Sequence, residues 1–290
     1  MIEAENREKL NRCPVCFSGD FVFVYEKQDG KLEMKDRRLK CNSCGVLFIA
    51  NRLTPEFIIW KFYQKRNPIG PTEKYLEKKE YLKKIADEIA DFLPVGSSVF
   101  DIGCGGGALL KFLADKGCKI SGLEVSEQAK EEAERVIELK DAIRVGDFLE
   151  TDFEGETFSA VLITDVVEHL HNSHLYFEKI SGILKPEGLI VIRTPNSDSL
   201  MHKLLKARWT LASPRHITLY NKKSLSYLLV KHNFQIIDFK SEKEIQGKLI
   251  PSFSYGFSAV LKGFLINLLR RFFSIIGKGE SITILARKSI

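Results

Sequence analysis

The amino-acid sequence predicts an α/β protein: a doubly wound parallel sheet with helices on both faces, preceded by a small cysteine-paired ribbon. Three observations predict it. Val99-Phe100-Asp101-Ile102-Gly103-Cys104-Gly105-Gly106-Gly107 asks for a buried strand that ends in a glycine turn. Apolar runs and helical spacings then alternate along the chain at the interval of βαβ units. Two matched Cys-x-x-Cys pairs precede all of this.

The ribbon comes first, over residues 1–53. Cys13-Pro14-Val15-Cys16 and Cys41-Asn42-Ser43-Cys44-Gly45 each place two thiolates on a knuckle turn. Together Cys13, Cys16, Cys41 and Cys44 complete a closed tetrahedral zinc site with no open position, which makes the zinc structural. A redox dithiol is the rival, and two matched pairs weigh against it. Between the knuckles, Phe21 to Tyr25 and Lys35 to Lys40 read as strands around a turn at Asp29-Gly30.

Residues 54–95 read as a helical linker and cap. Thr54-Pro55-Glu56 is a helix start. Tyr75, Leu82, Ile85, Ile89 and Phe92 then fall on one stripe of a second helix. These helices are expected to join the ribbon to the sheet and roof its ligand, with Tyr63 and Tyr75 in reach of a substrate. Pro94 and Gly96 mark the boundary to the main domain, 96–290.

In that domain, strands are predicted near 98–102, 118–124, 142–146, 158–164, 187–194, 234–240 and 281–287, seven in all. Helices fill 107–116, 126–139, 173–184 and 222–232. The glycine turn after the first strand opens onto a helix N-terminus, so unpaired N–H groups and bare main chain form a small-molecule cradle. Gly103-x-Gly105-x-x-Ala108 also meets the loose dinucleotide fingerprint. Asp101 shifts the balance, because an acid at the strand tip repels a pyrophosphate and suits a ligand bearing an ammonium and a sulfonium.

Asp-x-Gly-x-Gly-x-Gly resembles the first motif of class I S-adenosylmethionine-dependent methyltransferases. The resemblance continues through Gly122-Leu123-Glu124-Val125-Ser126, Gly146-Asp147-Phe148, Asp165-Val166-Val167-Glu168-His169 and Leu184-Lys185-Pro186-Glu187-Gly188. It covers most of residues 10–245. It implies a Rossmann-like, mostly parallel sheet whose last strand enters antiparallel, and a cofactor set of Asp101, Gly103, Gly105, Gly107, Glu124, Asp147, Phe148 and Thr164. In that set Asp101 orients the amino-acid end of the cofactor, Glu124 grips the ribose, Asp147 accepts the adenine amino group and Phe148 covers the ring. A turn or helix cap is the alternative reading of Asp147.

Methyl transfer needs in-line positioning and exclusion of water, and an oxygen or nitrogen acceptor also needs a base. Glu168 and His169 sit at the tip of the fourth strand. His216 lies in Trp209-x-x-x-x-Pro214-Arg215-His216-x-x-x-Tyr220, which resembles a segment of zinc-ribbon methyltransferases, sugar methyltransferases among them; it is the first candidate for the base. His171 and His174 read as surface or helix-start residues. Asp165-x-x-Glu168-His169 resembles the Glu-x-x-Glu-His segment of ubiquinone-biosynthesis and small-RNA 2′-O-methyltransferases, which implies a magnesium site at Asp165, Glu168 and His169 as an alternative. Trp209 offers a stacking face for a sugar or a buried anchor. Cys104 and Cys118 read as fillers.

Pro251 to Lys278 is strongly apolar, with Lys262, Arg270 and Arg271 interrupting. A helical lid, a dimer contact or an interfacial helix at a membrane surface all fit it. The chain's net charge of +6 is mild. Its charge runs at Lys31 to Lys40 and Lys74 to Lys84 alternate in sign, which reads as a solvated face and makes a nucleic-acid partner improbable. With no signal-peptide core and no membrane-length apolar run, a cytoplasmic protein is expected, with peripheral membrane contact through 251–278 as a further option. The acceptor expected first is a hydroxyl or carbon of a nucleotide-linked sugar; a quinone or lipid-linked precursor is the alternative, followed by RNA and by a nicotinamide oxidoreductase.

Overall fold

The computed structural model describes residues 6–29, 34–64, 80–137, 141–242 and 277–289. The chain begins with β1 (Arg7–Lys9), β2 (Phe21–Asp29), β3 (Met34–Cys41), β4 (Leu47–Ile49) and β5 (Asn51–Leu53). β2, β3 and β4 pair antiparallel in sequence order, and β1 pairs with β5. α1 (Pro55–Ile58) starts on Thr54, whose Oγ1 accepts the Phe57 N–H, and runs into a wider turn over Ile59–Gln64. α2 (Glu80–Ala90) follows.

The main domain then alternates as β6 (Ser98–Ile102), α3 (Ala108–Asp115), β7 (Lys119–Glu124), α4 (Glu127–Ile137), β8 (Ile143–Val145), β9 (Phe158–Thr164), α5 (Ser173–Ile183) and β10 (Leu184–Pro195). A long connection carries α6 (Leu200–Leu205) and β11 (Thr218–Leu219), and α7 (Lys222–Lys231), β12 (Phe234–Glu242) and β13 (Ser281–Lys288) complete the chain. The seven-stranded sheet runs β12-β13-β10-β9-β6-β7-β8. β13 is antiparallel to both neighbours, while the pairings from β10 to β8 are parallel. All seven strands and the four predicted helices fall where the sequence put them.

Alternation along each strand divides the core between two faces. Val161, Ile163, Ile190 and Ile192 point to the face covered by α5 and α7, where Phe177, Ile180, Leu225 and Leu228 meet them. Ala160, Leu162, Leu189 and Val191 point to the other face, under Leu82, Ile85 and Ile89 of α2 and Leu109 and Leu113 of α3. The cap stripe is thus a sheet-covering helix, with three apolar anchors each contributing on the order of 1.5–3 kcal/mol by burial. Phe92 leaves that stripe and is 43% exposed. Tyr75 lies outside the described residues, as does the Tyr63 side chain.

The ribbon is fused to the domain. β11, from the long connection, pairs antiparallel with β4, Thr218 opposite Phe48 and Leu219 opposite Leu47, so the ribbon sheet reads β11-β4-β3-β2. Cys13, Val15 and Phe48 share a core cluster with Phe177 and Leu225. The charge run at residues 35–40 is only half solvated: Lys35, Arg37 and Lys40 are exposed, whereas Asp36 and Arg38 are fully buried. A strand sends alternate residues to opposite faces, and here the inner face meets the long connection.

Candidate active site

The sheet order reverses between β6 and β9, and in open α/β sheets ligands bind in the crevice at that switch point. The glycine turn stands there. Gly103, Gly105 and Gly107 all have positive φ, at 69°, 54° and 70°, in the region that L side chains enter only with strain. At Gly103 a Cβ would lie 2.6 Å from Val166 Cγ2, so the turn is seated directly against the segment after β9. At Gly105 a Cβ would meet nothing within 4 Å, which leaves the cradle open. Cys104 packs toward Gly122, the filler its sequence context suggested.

Two carboxylates flank the cradle. Asp101 is 1% exposed and its Oδ1 has no hydrogen-bond partner. Burial, and then the charge of Glu124, raise its carboxyl well above the ordinary carboxylate range. An orphaned buried acid is costly unless a ligand completes it. Glu124, at the tip of β7, accepts the Gly105 N–H at 2.9 Å on Oε2 and the Val125 N–H at 2.8 Å and Ser126 N–H at 3.2 Å on Oε1. It thereby fixes the turn, and Oε2 keeps acceptor capacity for a further hydroxyl. Asp147 caps its own turn, accepting the Leu149 N–H at 2.7 Å. Phe148 departs from its expected place over a bound ring: it is 2% exposed, gathered into the core by Phe100, Phe153 and a stacked Tyr176. Thr164 ends β9, in register with Arg193 of β10.

The residues proposed for catalysis come together from two loops. Single ligating atoms of Glu168, His169 and His216 all lie within 4.8 Å of one another. The His169 Nδ1–H donates to the Arg215 carbonyl at 2.8 Å, and the His216 Nδ1–H donates to the Leu211 carbonyl at 2.6 Å. A carbonyl can only accept, so this contact fixes the tautomer and leaves Nε2 of His216 as its basic nitrogen. Burial is the first cause holding both rings neutral. His169 is held down to about 4, and His216 lies well below its ordinary value, with the His169 and Arg215 charges adding to the effect. Glu168, 1% exposed, accepts the Thr194 hydroxyl at 2.9 Å; burial and then Asp165 push it up to about 8.

Asp165 stays outside this cluster. Its carboxylate is taken by Arg193, a 2% exposed arginine whose guanidinium also lies 4.5 Å over the Tyr81 ring. The magnesium set expected at Asp165, Glu168 and His169 is not brought together: Glu168 and His169 gather with His216 instead, and Asp165 pairs with Arg193. Trp209 is also settled, fully buried with its indole N–H donating to Glu280 Oε1 at 3.0 Å, an anchor and not a stacking face. His171 and His174 are docking residues. His171 Nε2 contacts the Leu53 carbonyl at 2.7 Å, and His174 joins the Val15 carbonyl at 2.7 Å to His232 at 2.8 Å.

In the ribbon, the Sγ atoms of Cys13, Cys16, Cys41 and Cys44 all lie within 4.8 Å of one another, and none forms a disulfide. Cys13 and Cys44 are 3.6 Å apart, Cys16 and Cys41 3.4 Å. Tetrahedral zinc bonded at ~2.3 Å sets sulfurs about 3.8 Å apart, so the four thiols fit that ion with little movement. Sequence reasoning missed Arg38, Arg52, Arg193 and Thr194, each buried and each bonded into a loop of the site. Only the alternation at 36 and 38 carried any signal.

Residues 74–238, more than half of the chain, match the family model described as a methyltransferase domain. The ubiquinone biosynthesis O-methyltransferase of a Chelativorans species is 35% identical over 105 residues, 35% of this chain and 41% of that protein. The mitochondrial ubiquinone biosynthesis O-methyltransferase of Rattus norvegicus is 33% identical over 116 residues, 38% of this chain and 34% of that one. The chain thus spans less than half the length of these two relatives. Among solved structures, a SAM-dependent methyltransferase from Archaeoglobus fulgidus superposes with a TM-score of 0.54 at 21% identity, covering 72% of this chain and 94% of that one. One from Methanosarcina mazei gives 0.51 at 16% identity, covering 70% and 97%. The dinucleotide reading of the glycine turn falls with these matches. The chain belongs to the methyltransferase domain family and carries the fold of S-adenosylmethionine-dependent methyltransferases.

Proposed function

We propose that this chain transfers a methyl group from S-adenosylmethionine to an acidic hydroxyl of a small aromatic acceptor, of quinol or phenol type, with His216 as the base. The observation that carries this is the meeting of Glu168, His169 and His216 within 4.8 Å, the first two on the segment whose Val166 packs against Gly103 of the glycine turn. The cofactor's ammonium suits the orphaned Asp101 carboxylate, and its ribose hydroxyls suit Glu124 Oε2. Asp147, after β8, and Thr164, at the end of β9, are the remaining candidates for holding the cofactor.

A buried imidazole held well below its ordinary value is unprotonated at neutral pH but a weak base. It matches a phenol, whose pKa near 10 is reachable, far better than a sugar alcohol. This supports the quinone-type alternative over the sugar first expected. The relatives' names point the same way, and nothing in them favours a sugar. The apolar stretch at 251–278 lies outside the described residues apart from its last two, Gly277 and Lys278. Its flanks leave the sheet at the carboxyl end of β12 and return beside Asn196, whose amide donates to the Gly279 carbonyl at 2.9 Å. The apolar composition of 251–278 favours a hydrophobic acceptor, presented by a membrane or free. No helix among the described residues is long and apolar enough to cross a membrane.

The test is turnover of a panel of catechols, quinols and sugar nucleotides with labelled S-adenosylmethionine. Methylated catechol or quinol supports the proposal; methylation confined to sugars overturns it. Repeating the assay with a chelator that spares the ribbon zinc assigns the cluster. Retained turnover supports His216 as base, and loss restored by magnesium assigns Glu168, His169 and His216 to a cation.

A further inference from the structure

The two histidines of the cluster lie on separate loops, and the ribbon holds both. Arg38 of β3 is fully buried and spans the first of them. Its Nη1 donates to the His216 carbonyl and its Nη2 to the Ser213 carbonyl, both at 2.8 Å. Lys27 of β2 donates to the carbonyls of Ala212, at 2.7 Å, and Trp209, at 3.3 Å. The Ile49 N–H donates to the Ile217 carbonyl at 3.0 Å, and β4 pairs with β11 immediately beyond. Five main-chain carbonyls between 209 and 217 are therefore held by ribbon residues.

Arg52 of β5 does the same on the other side. It is 5% exposed, its Nη2 donates to the His171 carbonyl at 3.0 Å, and Glu8 holds its Nε at 2.7 Å. His171 returns the contact to Leu53.

A buried guanidinium is expensive to desolvate, and Arg38 has the buried Asp36 beside it as countercharge. The Arg38 guanidinium serves the two carbonyls from two separate nitrogens held in one rigid plane, a geometry that a lysine ammonium, a point donor on a flexible stem, does not reproduce. We infer that the cysteine-paired ribbon aligns the catalytic loops, with Arg38 and Arg52 as positioning residues that bring His216 and His169 together for the transfer. This rests on the reading of His216 as the base. The ribbon is on this view a component of the active site and not a separate docking module.

The experiment is a mutant cycle on the full chain, comparing Arg38→Lys, Arg38→Met, Arg52→Lys and His216→Asn, and each arginine variant combined with His216→Asn. Zinc content, binding of S-adenosylhomocysteine and turnover of whichever acceptor the panel gives are read for each. The expected result is one zinc per chain, S-adenosylhomocysteine affinity within twofold of wild type, and kcat lower by roughly 10- to 100-fold with KM little changed, the scale of a base displaced by about 1 Å. In the His216→Asn background the arginine substitutions should then change kcat by less than twofold. Equal losses in both backgrounds overturn the inference, as do losses confined to KM. Full turnover by His216→Asn alone overturns the base reading, a different result from additive losses. Should Arg38→Met fail to fold, the lysine variants carry the same test.

Discussion

The rings of His169 and His216 meet edge to face, their centroids 4.9 Å apart and their planes at 73°, although they reach the crevice on different loops. Each is anchored through Nδ1 to a main-chain carbonyl, so neither ring can turn without losing a hydrogen bond. Replacing His216 by Asn should lower kcat by roughly 10²- to 10⁴-fold, the usual scale of a general base. Binding of S-adenosylmethionine, measured by calorimetry, should be unaffected.

Asp101 makes cofactor affinity depend on pH. A cation binds the ionised carboxylate, and the carboxyl of the free protein is raised, so binding releases a proton and tightens as pH increases. Asp101→Asn should weaken binding by about tenfold or more and flatten that dependence. Calorimetry in two buffers of different ionisation enthalpy reads the proton directly.

The same group has the opposite effect on the ligand-free fold. Its folded pKa lies well above the ordinary carboxylate value, so its stabilising contribution is complete below that ordinary value and is lost as pH rises through the folded pKa. Asp101→Asn should therefore raise the thermal midpoint of the ligand-free protein at pH 8 relative to wild type, with the gap closing toward pH 4. A gap that widens on acidification would contradict the assignment.

Gly103 and Gly105 separate strain from collision. Alanine at Gly105 costs the left-handed backbone penalty, roughly 1–2 kcal/mol, and places a methyl in the open cradle. It should lower the thermal midpoint slightly and cofactor affinity strongly. Alanine at Gly103 adds a 2.6 Å contact with Val166 and should displace the loop leading to Glu168, costing stability and affinity together.

Removing one thiol tests the ribbon. Cys44→Ser should reduce bound zinc from one per chain to a small fraction, measured by atomic emission. Because metal binding is folding free energy for a module of this size, the loss is expected to reach several kcal/mol, roughly 10 °C in the thermal midpoint.

What the sequence revealed, and what it hid, has a physical pattern. The strands from Ser98 to Thr164 were legible because buried parallel strands are short apolar runs between helical spacings, and the glycine turn carries its own backbone requirement. The gathering of Glu168 and His169 was readable because they are neighbours at one strand tip. Their meeting with His216 was suggested only by a resemblance, since nothing local in Pro214-Arg215-His216 says which loop it will face. Arg38 was lost in a run of charges whose alternation alone marked two of them as inward. Phe148 was assigned to a ligand, and three other aromatic rings pack against it. β11 is two residues long, too short for any periodicity, and its pairing depends on residues far away in the chain.

That pairing sets an order of assembly. β4 is buried along its whole length, and until Thr218 and Leu219 arrive its outer edge has no partner. During synthesis at ordinary rates that interval lasts roughly ten to thirty seconds. A zinc-loaded ribbon can form early, but it waits with a bare apolar edge, the kind of surface that pairs with other chains. The segment that closes this edge also carries His216, two residues before β11, so the two histidines can meet only once the edge of β4 has been covered.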